Sequence, residues 1–356
     1  MDKKITLITN EKCWMEQDAR TQLEGLAALP GVVRVVGLPD LHPGKTPVGV
    51  AAETKEIIYP HLLGSDIGCG MSLFVTGCSV KKYKKERFFA KLYGVRSLRD
   101  VDVGNPYPEE SPIEDLGTIG GGNHFAEFQK LEDIRDEDAC RALGLGKENL
   151  LLLVHSGSRG YGKRIMDAFS DYGGLEANGE RAAAYLAAHD DALLWAERNR
   201  FVVARKLMHV LGFAPETETV IDCPHNFLQR HNGVYIHRKG ATGALGGPVV
   251  IPGSRGAFSY IVAPGEHTAF AAHSLAHGAG RKWMRSQCKG RLKNKYGRDA
   301  IAETRLGSKS VCHDADLLYE EAPEAYKPIE HVIDAMVQSG LCRVIATLRP
   351  LLTVKL

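Results

Sequence analysis

Nowhere in its 356 residues does this chain stay apolar for the roughly 18 residues that a bilayer-spanning helix needs. The opening Met1-Asp2-Lys3-Lys4-Ile5-Thr6 also lacks the apolar run of a secretory signal, so a cytoplasmic protein with no membrane partner is expected. Cys-x-x-Cys pairs are missing too. The eight cysteines have no framework spacing, which fits a reducing compartment where most thiols pack as small apolar side chains, and Cys69 alone is expected to function. Neither sign of charge is in excess. The 45 Lys and Arg against 43 Asp and Glu give +2, which argues against an evenly basic nucleic-acid binder and leaves local clusters to decide. Internal repeats, low-complexity tracts and interdomain linkers are absent, so residues 1–356 are expected to form one compact domain.

Two nucleotide-binding signatures are lacking as well. Gly44-Lys45-Thr46 resembles the end of a phosphate-binding loop, but Pro39 stands where that motif needs its first Gly, and Pro47 opposes the helix that must follow. The Gly-rich dinucleotide fingerprint is not found either, so a nucleotide would have to be held in another way.

What is present is a series of apolar runs ending in polar or Gly-rich turns. Val33 to Val36, Leu150 to Val154, Val234 to Ile236, Val249 to Ile251 and Tyr260 to Ala263 read as buried strands. Helical pattern runs from Glu180 to Leu211, stopping at Gly212, and returns from His267 to Cys288 and from Ile329 to Gln338. This interleaving predicts an α+β fold of mixed sheets flanked by helices, with its polar sites in loops at strand ends.

Those loops hold the chemistry-bearing residues. In Gly64-Ser65-Asp66-Ile67-Gly68-Cys69-Gly70 the glycines let a carboxylate and a thiol converge, and a tight turn with a buried Cys fits the same residues equally. Three Gly- or Pro-flanked histidines, His124, His155 and His225, could complete a centre around the pair. Thiolate, imidazole and carboxylate together favour a borderline transition metal over Mg or Ca. His155 leaves its apolar run into Ser156-Gly157-Ser158-Arg159-Gly160, where successive N–H groups and Arg159 suit an anion. His237 continues a strand, which makes His225 the better ligand of that region, and Lys239 is a further phosphate candidate. From Arg281 to Arg298 eight cations occur without a carboxylate, a surface suited to phosphates, or a solvated helix face. The cluster Lys81, Lys82, Lys84 and Lys85 reads as plain surface. His273 and His277, one helical turn apart if this segment is helix, could ligate metal, or His277 beside Arg281 and Arg285 could attack phosphorus.

The blocks Leu38-Pro39-Asp40-Leu41-His42, Gly64 to Met71, Leu116 to Phe125, His155 to Gly160, His225-Asn226, Arg238 to Thr242, Pro252 to Ser254, His277 to Arg281 and Glu321 to Lys327 resemble, in order and wording, the RtcB family of RNA ligases. The resemblance runs from about Leu38 to Leu356. It implies GTP- and Mn(II)-dependent joining of an RNA 3′-phosphate or 2′,3′-cyclic phosphate end to a 5′-hydroxyl end, with two Mn ions. Carried over by motif, Cys69 would bridge the ions, with Asp66, His124, His155 and His225 as the other ligands, and His277 would bond covalently to GMP. Asn123, Glu127, Ser254, Ser259, Ala279, Gly280, Arg281, Tyr326 and Lys355 would contact the guanylate, and Arg159, Lys239 and Arg285 would bind RNA or triphosphate oxygens. An activating protein of the archease type is an implied partner.

Three departures mark this chain. It is shorter than the usual member, Gly243 stands where many relatives have Arg, and Val354-Lys355-Leu356 replaces an ending in Lys-Gly. These features are similar to a compact RNA-repair paralogue rather than the tRNA-splicing enzyme. The rival readings are a metal-dependent phosphodiesterase or phosphatase acting on RNA ends, and an RNA-end-binding scaffold with a structural zinc.

Overall fold

Leu150 to Val154 are all fully buried because their strand has protein on both faces. Leu151 and Leu153 point into one apolar cluster, and Leu150, Leu152 and Val154 into another, the two-residue period of a central strand. The computed structural model describes residues 4–104, 106–109, 115–170, 173–214 and 217–356; the first three residues of the opening segment lie outside it.

In chain order the elements are β1 (Ile5–Leu7), α1 (Gln17–Ala27), β2 (Val32–His42), β3 (Val48–Thr54), β4 (Ile57–Ile58), β5 (Gly70–Ser79), α2 (Lys85–Tyr93), β6 (Phe125–Ile134), α3 (Glu137–Ala142), β7 (Asn149–Ser156), α4 (Arg159–Phe169) and β8 (Leu175–Glu176). There follow α5 (Glu180–Leu211), β9 (Glu218–Pro224), β10 (Asn226–His231), β11 (Val234–Lys239), β12 (Ala241–Gly243), β13 (Val249–Ile251), β14 (Ser259–Pro264) and β15 (Ser274–Ala276). The chain continues through α6 (Arg285–Leu292), α7 (Arg298–Ala302), β16 (Lys309–Cys312), α8 (Ala315–Glu320), α9 (Ile329–Gln338) and β17 (Cys342–Lys355).

Two sheets dominate. The larger runs β13-β14-β17-β6-β7-β5-β9 with β16 added on β17, and the smaller runs β1-β2-β3-β11-β10. One face of the larger sheet packs with α9, β15 and the inner residues of β2, β3 and β11, among them Val36, Leu38, Ala51 and Ile236. Its other face packs on α2 and α5 through Phe74, Phe88, Phe128, Leu152, Val203 and Leu207. Each such side chain taken from water contributes about 1.5–3 kcal/mol, so the two clusters are the main source of cohesion. The two sheets are tied where β9 of one gives way to β10 of the other across His225.

The α+β expectation holds, as do the apolar strands and two of the three helices, with α5 ended by Gly212 at φ +77°. The helix expected from His267 to Cys288 does not form. Instead a 3-10 turn over Thr268–Ala271 is followed by β15, an extended loop, and α6 beginning only at Arg285. Ala272 and His273 sit at φ +50° and +48° and Gly280 at +70°, conformations an α-helix excludes, and Ser274–Ala276 instead pairs with β12. His273 and His277 are therefore not neighbours on a helical face. Gly44-Lys45-Thr46 forms a bend between β2 and β3 with no helix after it, as Pro47 requires. No helix among the described residues is long and apolar enough to cross a membrane.

Candidate active site

The site lies where the two sheets meet. Gly68 and Gly64 adopt φ of +74° and +80°, which turns the chain into β5, while Gly70 serves by close approach, since a Cβ there would lie 2.7 Å from Pro224 Cα. His155 occupies the next-to-last position of β7, and the alternation that buries Leu151 and Leu153 puts it on their face, opposite Met71 and Phe125. His124 ends the Gly-rich turn before β6. His225 sits between β9 and β10, its N–H donating to Cys69 O at 2.8 Å and its carbonyl accepting from Ala241 N at 3.0 Å.

These elements bring the side chains together. Cys69 Sγ is 3.2 Å from both His124 Nε2 and His155 Nε2, and the three donor atoms lie within 4.8 Å of one another. Asp66 Oδ2 is 3.1 Å from His124 Nε2. The His225 ring stands 5.1 Å from that of His155 and 4.8 Å from that of His277, and its Nδ1 is buried without a hydrogen-bond partner. Burial, reinforced by the neighbouring rings, takes His155 and His225 well below the usual imidazole value, which leaves both neutral and able to donate a lone pair. Burial also drives the Cys69 thiol up, with Asp66 adding to it, so a metal ion would have to displace its proton. For Asp66 burial works upward, but the hydrogen bond with His124 and the charges of His124 and Arg159 hold it below its ordinary value. A buried thiol, imidazoles and a carboxylate converging in this way suit the borderline metal inferred from their identities.

The turn before α4 corrects one expectation. One of its N–H groups faces an anion, and that anion is internal: Arg159 N–H donates to Asp66 Oδ1 at 3.1 Å, a Cβ on Gly157 would strike the same oxygen, and Ser158 N–H goes to the Ile67 carbonyl. The Arg159 side chain reaches back, Nη1 lying 2.8 Å from His124 Nδ1.

Beside the donor cluster opens a cavity of about 650 Å³. Asp66, Cys69, His124, His155, His225, His277, Asn123, Glu127, Lys239, Ser254, Ala279, Gly280, Arg281, Arg285, Tyr326 and Lys355 all line it. Ser259 and Arg159 do not. Ser259 is buried behind the wall, its Oγ accepting from Gln129 Nε2 at 3.1 Å. Burial raises Glu127 to about 7 despite hydrogen bonds from Thr353 and Gln129, and lowers Lys239 and Lys355 to about 8. Lys355 Nζ donates at 2.7 Å to the carbonyls of Gly122 and His124, bracing the loop that presents His124.

The family model described as "tRNA-splicing ligase RtcB" matches residues 22–104 and 94–356. The chain belongs to the RtcB family. It is 41% identical over 367 residues to "RNA-splicing ligase RtcB2" of Escherichia coli, covering 99% of this chain and 95% of that one. It is 28% identical to "tRNA-splicing ligase RtcB" of Archaeoglobus fulgidus, covering 95% and 91%, and 28% identical to "RNA-splicing ligase RtcB" of Mycobacterium tuberculosis, covering 94% and 100%. The alignment to the Archaeoglobus protein spans 439 residues against 356 here, so that relative carries segments this chain lacks.

Several residues of this RtcB-family site went unassigned in the sequence reading. Asp40, fully buried in β2, accepts at Oδ2 from His277 Nδ1 at 2.6 Å and from His277 N–H at 3.1 Å. A carboxylate inside the run Val35 to Leu41 was its signal. Glu321 accepts from Arg281 Nη1 at 3.0 Å, from Arg285 Nε at 3.3 Å and from the Tyr326 hydroxyl, gathering the cationic end of the cavity around one carboxylate. Arg200 of α5 donates to Gly68 O at 2.8 Å and Ser156 O at 2.9 Å, so one guanidinium braces the residues beside Cys69 and His155, and Asp222 balances its charge at 2.8 Å. Its neighbour Asn199 donates to Thr118 O and Ser156 Oγ, both at 3.0 Å. Asn199 and Arg200 fall on the face of α5 that buries Ala192, Trp195, Ala196 and Val203, where a polar residue needs a partner.

Proposed function

We propose that this chain is an RNA ligase that uses GTP and Mn(II) to join an RNA 3′-phosphate or 2′,3′-cyclic phosphate end to a 5′-hydroxyl end. The observation that carries the reading is the placement of His277. Its Nδ1 is held by a buried carboxylate, its ring borders the donor cluster through His225, and Arg281, Arg285 and Lys239 line the same cavity.

With the ring proton kept on Nδ1 by Asp40, Nε2 holds a lone pair for the α-phosphorus of GTP, and pyrophosphate leaves as the N–P bond forms. Asp40 then faces the cationic ring. Arg281 and Lys239 supply positive charge for phosphate oxygens, and Glu321 keeps Arg281 and Arg285 from swinging into solvent. The guanylate passes to the RNA 3′-phosphate as that oxygen displaces Nε2. The 5′-hydroxyl of the second RNA attacks the activated 3′-phosphate, a phosphodiester forms, and GMP leaves. A cyclic phosphate must first take up water to give the 3′-phosphate. Cys69, Asp66, His124, His155 and His225 would hold the two Mn ions, which when bound neutralise phosphate charge and orient the reacting oxygens.

Asn123, Glu127, Ser254, Ala279, Gly280, Tyr326 and Lys355 are assigned to the guanylate, with Ser259 acting through Gln129. We read residues 1–356 as one catalytic domain, working in the cytoplasm in RNA repair or tRNA processing, with an archease-type protein as activator. Incubation with radiolabelled GTP and Mn tests the proposal. Covalent label that is lost in His277→Ala, together with end joining, supports it. Hydrolysis of RNA ends without label would replace it with a phosphatase or cyclic phosphodiesterase.

A further inference from the structure

The basic run from Arg281 to Arg298 divides in the structure. Arg281 and Arg285 are held by Glu321, and Lys289 by Asp316 at 2.6 Å, so these cations have internal partners. Among the described residues no carboxylate pairs with the side chain of Lys282, Arg291 or Lys293. Lys282, Trp283 and Met284 line the cavity of about 650 Å³, yet Lys282 is exposed and Met284 is 64% exposed, which places these three residues at the cavity mouth.

The rim they form is fixed in place. The N–H groups of Lys282 and Trp283 both donate to Ala325 O, at 2.9 and 3.3 Å, and Trp283 O accepts from Arg281 Nε at 3.1 Å. The half-buried indole packs against the small apolar cluster of Leu292, Leu318 and Ala322. Over its ring lie the Lys282 ammonium and the Arg291 guanidinium, 5.0 and 4.9 Å from the centroid. Two like charges gathered at one ring, with no carboxylate between them and an exposed methionine alongside, are more than a solvated helix face requires.

We propose that this rim binds the RNA strand that bears the 3′-phosphate, with the terminal nucleoside against Trp283 and Met284 and the phosphates behind it on Lys282, Arg291 and Lys293. The inference rests on the ligase reading above. On that reading the 3′-phosphate takes guanylate from His277, so it lies in the main cavity near Arg281, and the rest of its strand must leave through the mouth. Trp283 is two residues from Arg281, at most about 7 Å of backbone, which is within reach of the nucleoside that carries the phosphate. Aromatic and apolar groups interleaved with free cations hold a single strand by stacking and charge, without reading its sequence. The strand with the 5′-hydroxyl enters opposite the leaving guanylate, and so comes from the side away from Arg281.

Two short single-stranded RNAs of one sequence test this with the full chain and Mn: one with a 3′-phosphate and a blocked 5′ end, the other with a 5′-hydroxyl and a blocked 3′ end. Binding is followed by fluorescence anisotropy across a salt series. Trp283→Ala should weaken the 3′-phosphate strand at least about fivefold, the low end for one lost base–aromatic stack, and Trp283→Phe should restore most of it. Because Trp283 also packs inward, Met284→Ala repeats the test without touching the apolar cluster and should weaken the same strand. Arg291→Ala should flatten the slope of log affinity against log salt for that strand by about 0.7, the value for one single-strand phosphate contact. The 5′-hydroxyl strand should stay within about twofold throughout, no more than a screened surface charge contributes. Arg135→Ala, beyond the far end of β6, should move neither strand. A 2-aminopurine at the 3′-terminal base should lose fluorescence on binding to wild type and keep it with Trp283→Ala. Equal weakening of both strands, weakening of the 5′-hydroxyl strand alone, or no change in variants that melt normally would each overturn the assignment. Failure of the ligase reading would appear separately, as wild-type protein that takes no label from GTP.

Discussion

Replacing Asp40 with Asn keeps the shape of a fully buried side chain and removes its charge. In the native site one oxygen accepts both the Nδ1–H and the backbone N–H of His277, at 2.6 and 3.1 Å. A hydrogen bond to a charged acceptor contributes about 1.5–3 kcal/mol against about 1 for a neutral one. The difference grows when the ring becomes cationic on bonding to phosphorus, because the counter-charge is then lost in a low-dielectric interior. An amide that turns its NH2 toward the ring would, in addition, favour the tautomer with the proton on Nε2, where the lone pair is needed. Together these place the loss at about 3 kcal/mol or more, or at least about a hundredfold in the rate of guanylate transfer to His277. The assay is single-turnover labelling from radiolabelled GTP, with melting curves and metal content measured in parallel. Labelling of Asp40→Asn within threefold of wild type, in protein that melts normally, would refute the role given to this carboxylate.

Other perturbations have different signatures. Arg200→Met should lower stability by about 3–5 kcal/mol, because Asp222 is left as an unpaired charge and two carbonyls beside the donor residues lose their donor; urea unfolding measures it. Lys355→Met should reduce metal affinity by about 10–100-fold through the freed His124 loop, read by chelator competition, and an effect confined to GTP would contradict the bracing role. Glu127→Gln should stabilise the metal-free protein at alkaline pH. Folding raises this carboxyl to about 7, so the penalty is absent below its unfolded value near 4.5, grows as pH rises through that window, and reaches about 3 kcal/mol above it. The melting temperatures of wild type and variant should converge at pH 4.5 and diverge by pH 8.

Much of this was legible in the residues because burial leaves a pattern. The uninterrupted run at Leu150 to Val154 announces a strand covered on both faces, and Gly212 marks the end of α5. The segment from His267 to Cys288 misled because small residues there satisfy helical and extended spacing alike, and only pairing with β12 and the left-handed residues at 272, 273 and 280 decide between them. The Gly/Ser turn after His155 suggested a nest for an outside anion, but no local pattern could show that its Arg159 N–H is taken by Asp66, 93 positions away in the chain. Asp40, Glu321 and Arg200 escaped for the same reason: their work is done across long sequence separations.

The last long strand, β17, lies between β14 and β6 and also pairs with β16, so it enters the larger sheet after every strand it joins has already left the ribosome. Until it arrives, β6 and β14 expose unmated edges of the kind that invite neighbouring nascent chains. Lys355, at the end of that strand, is also the residue that clasps the His124 loop. A chain cut short before β17 would thus keep two open strand edges and an unclasped His124 loop, and it should be vulnerable to aggregation and slow to take up metal.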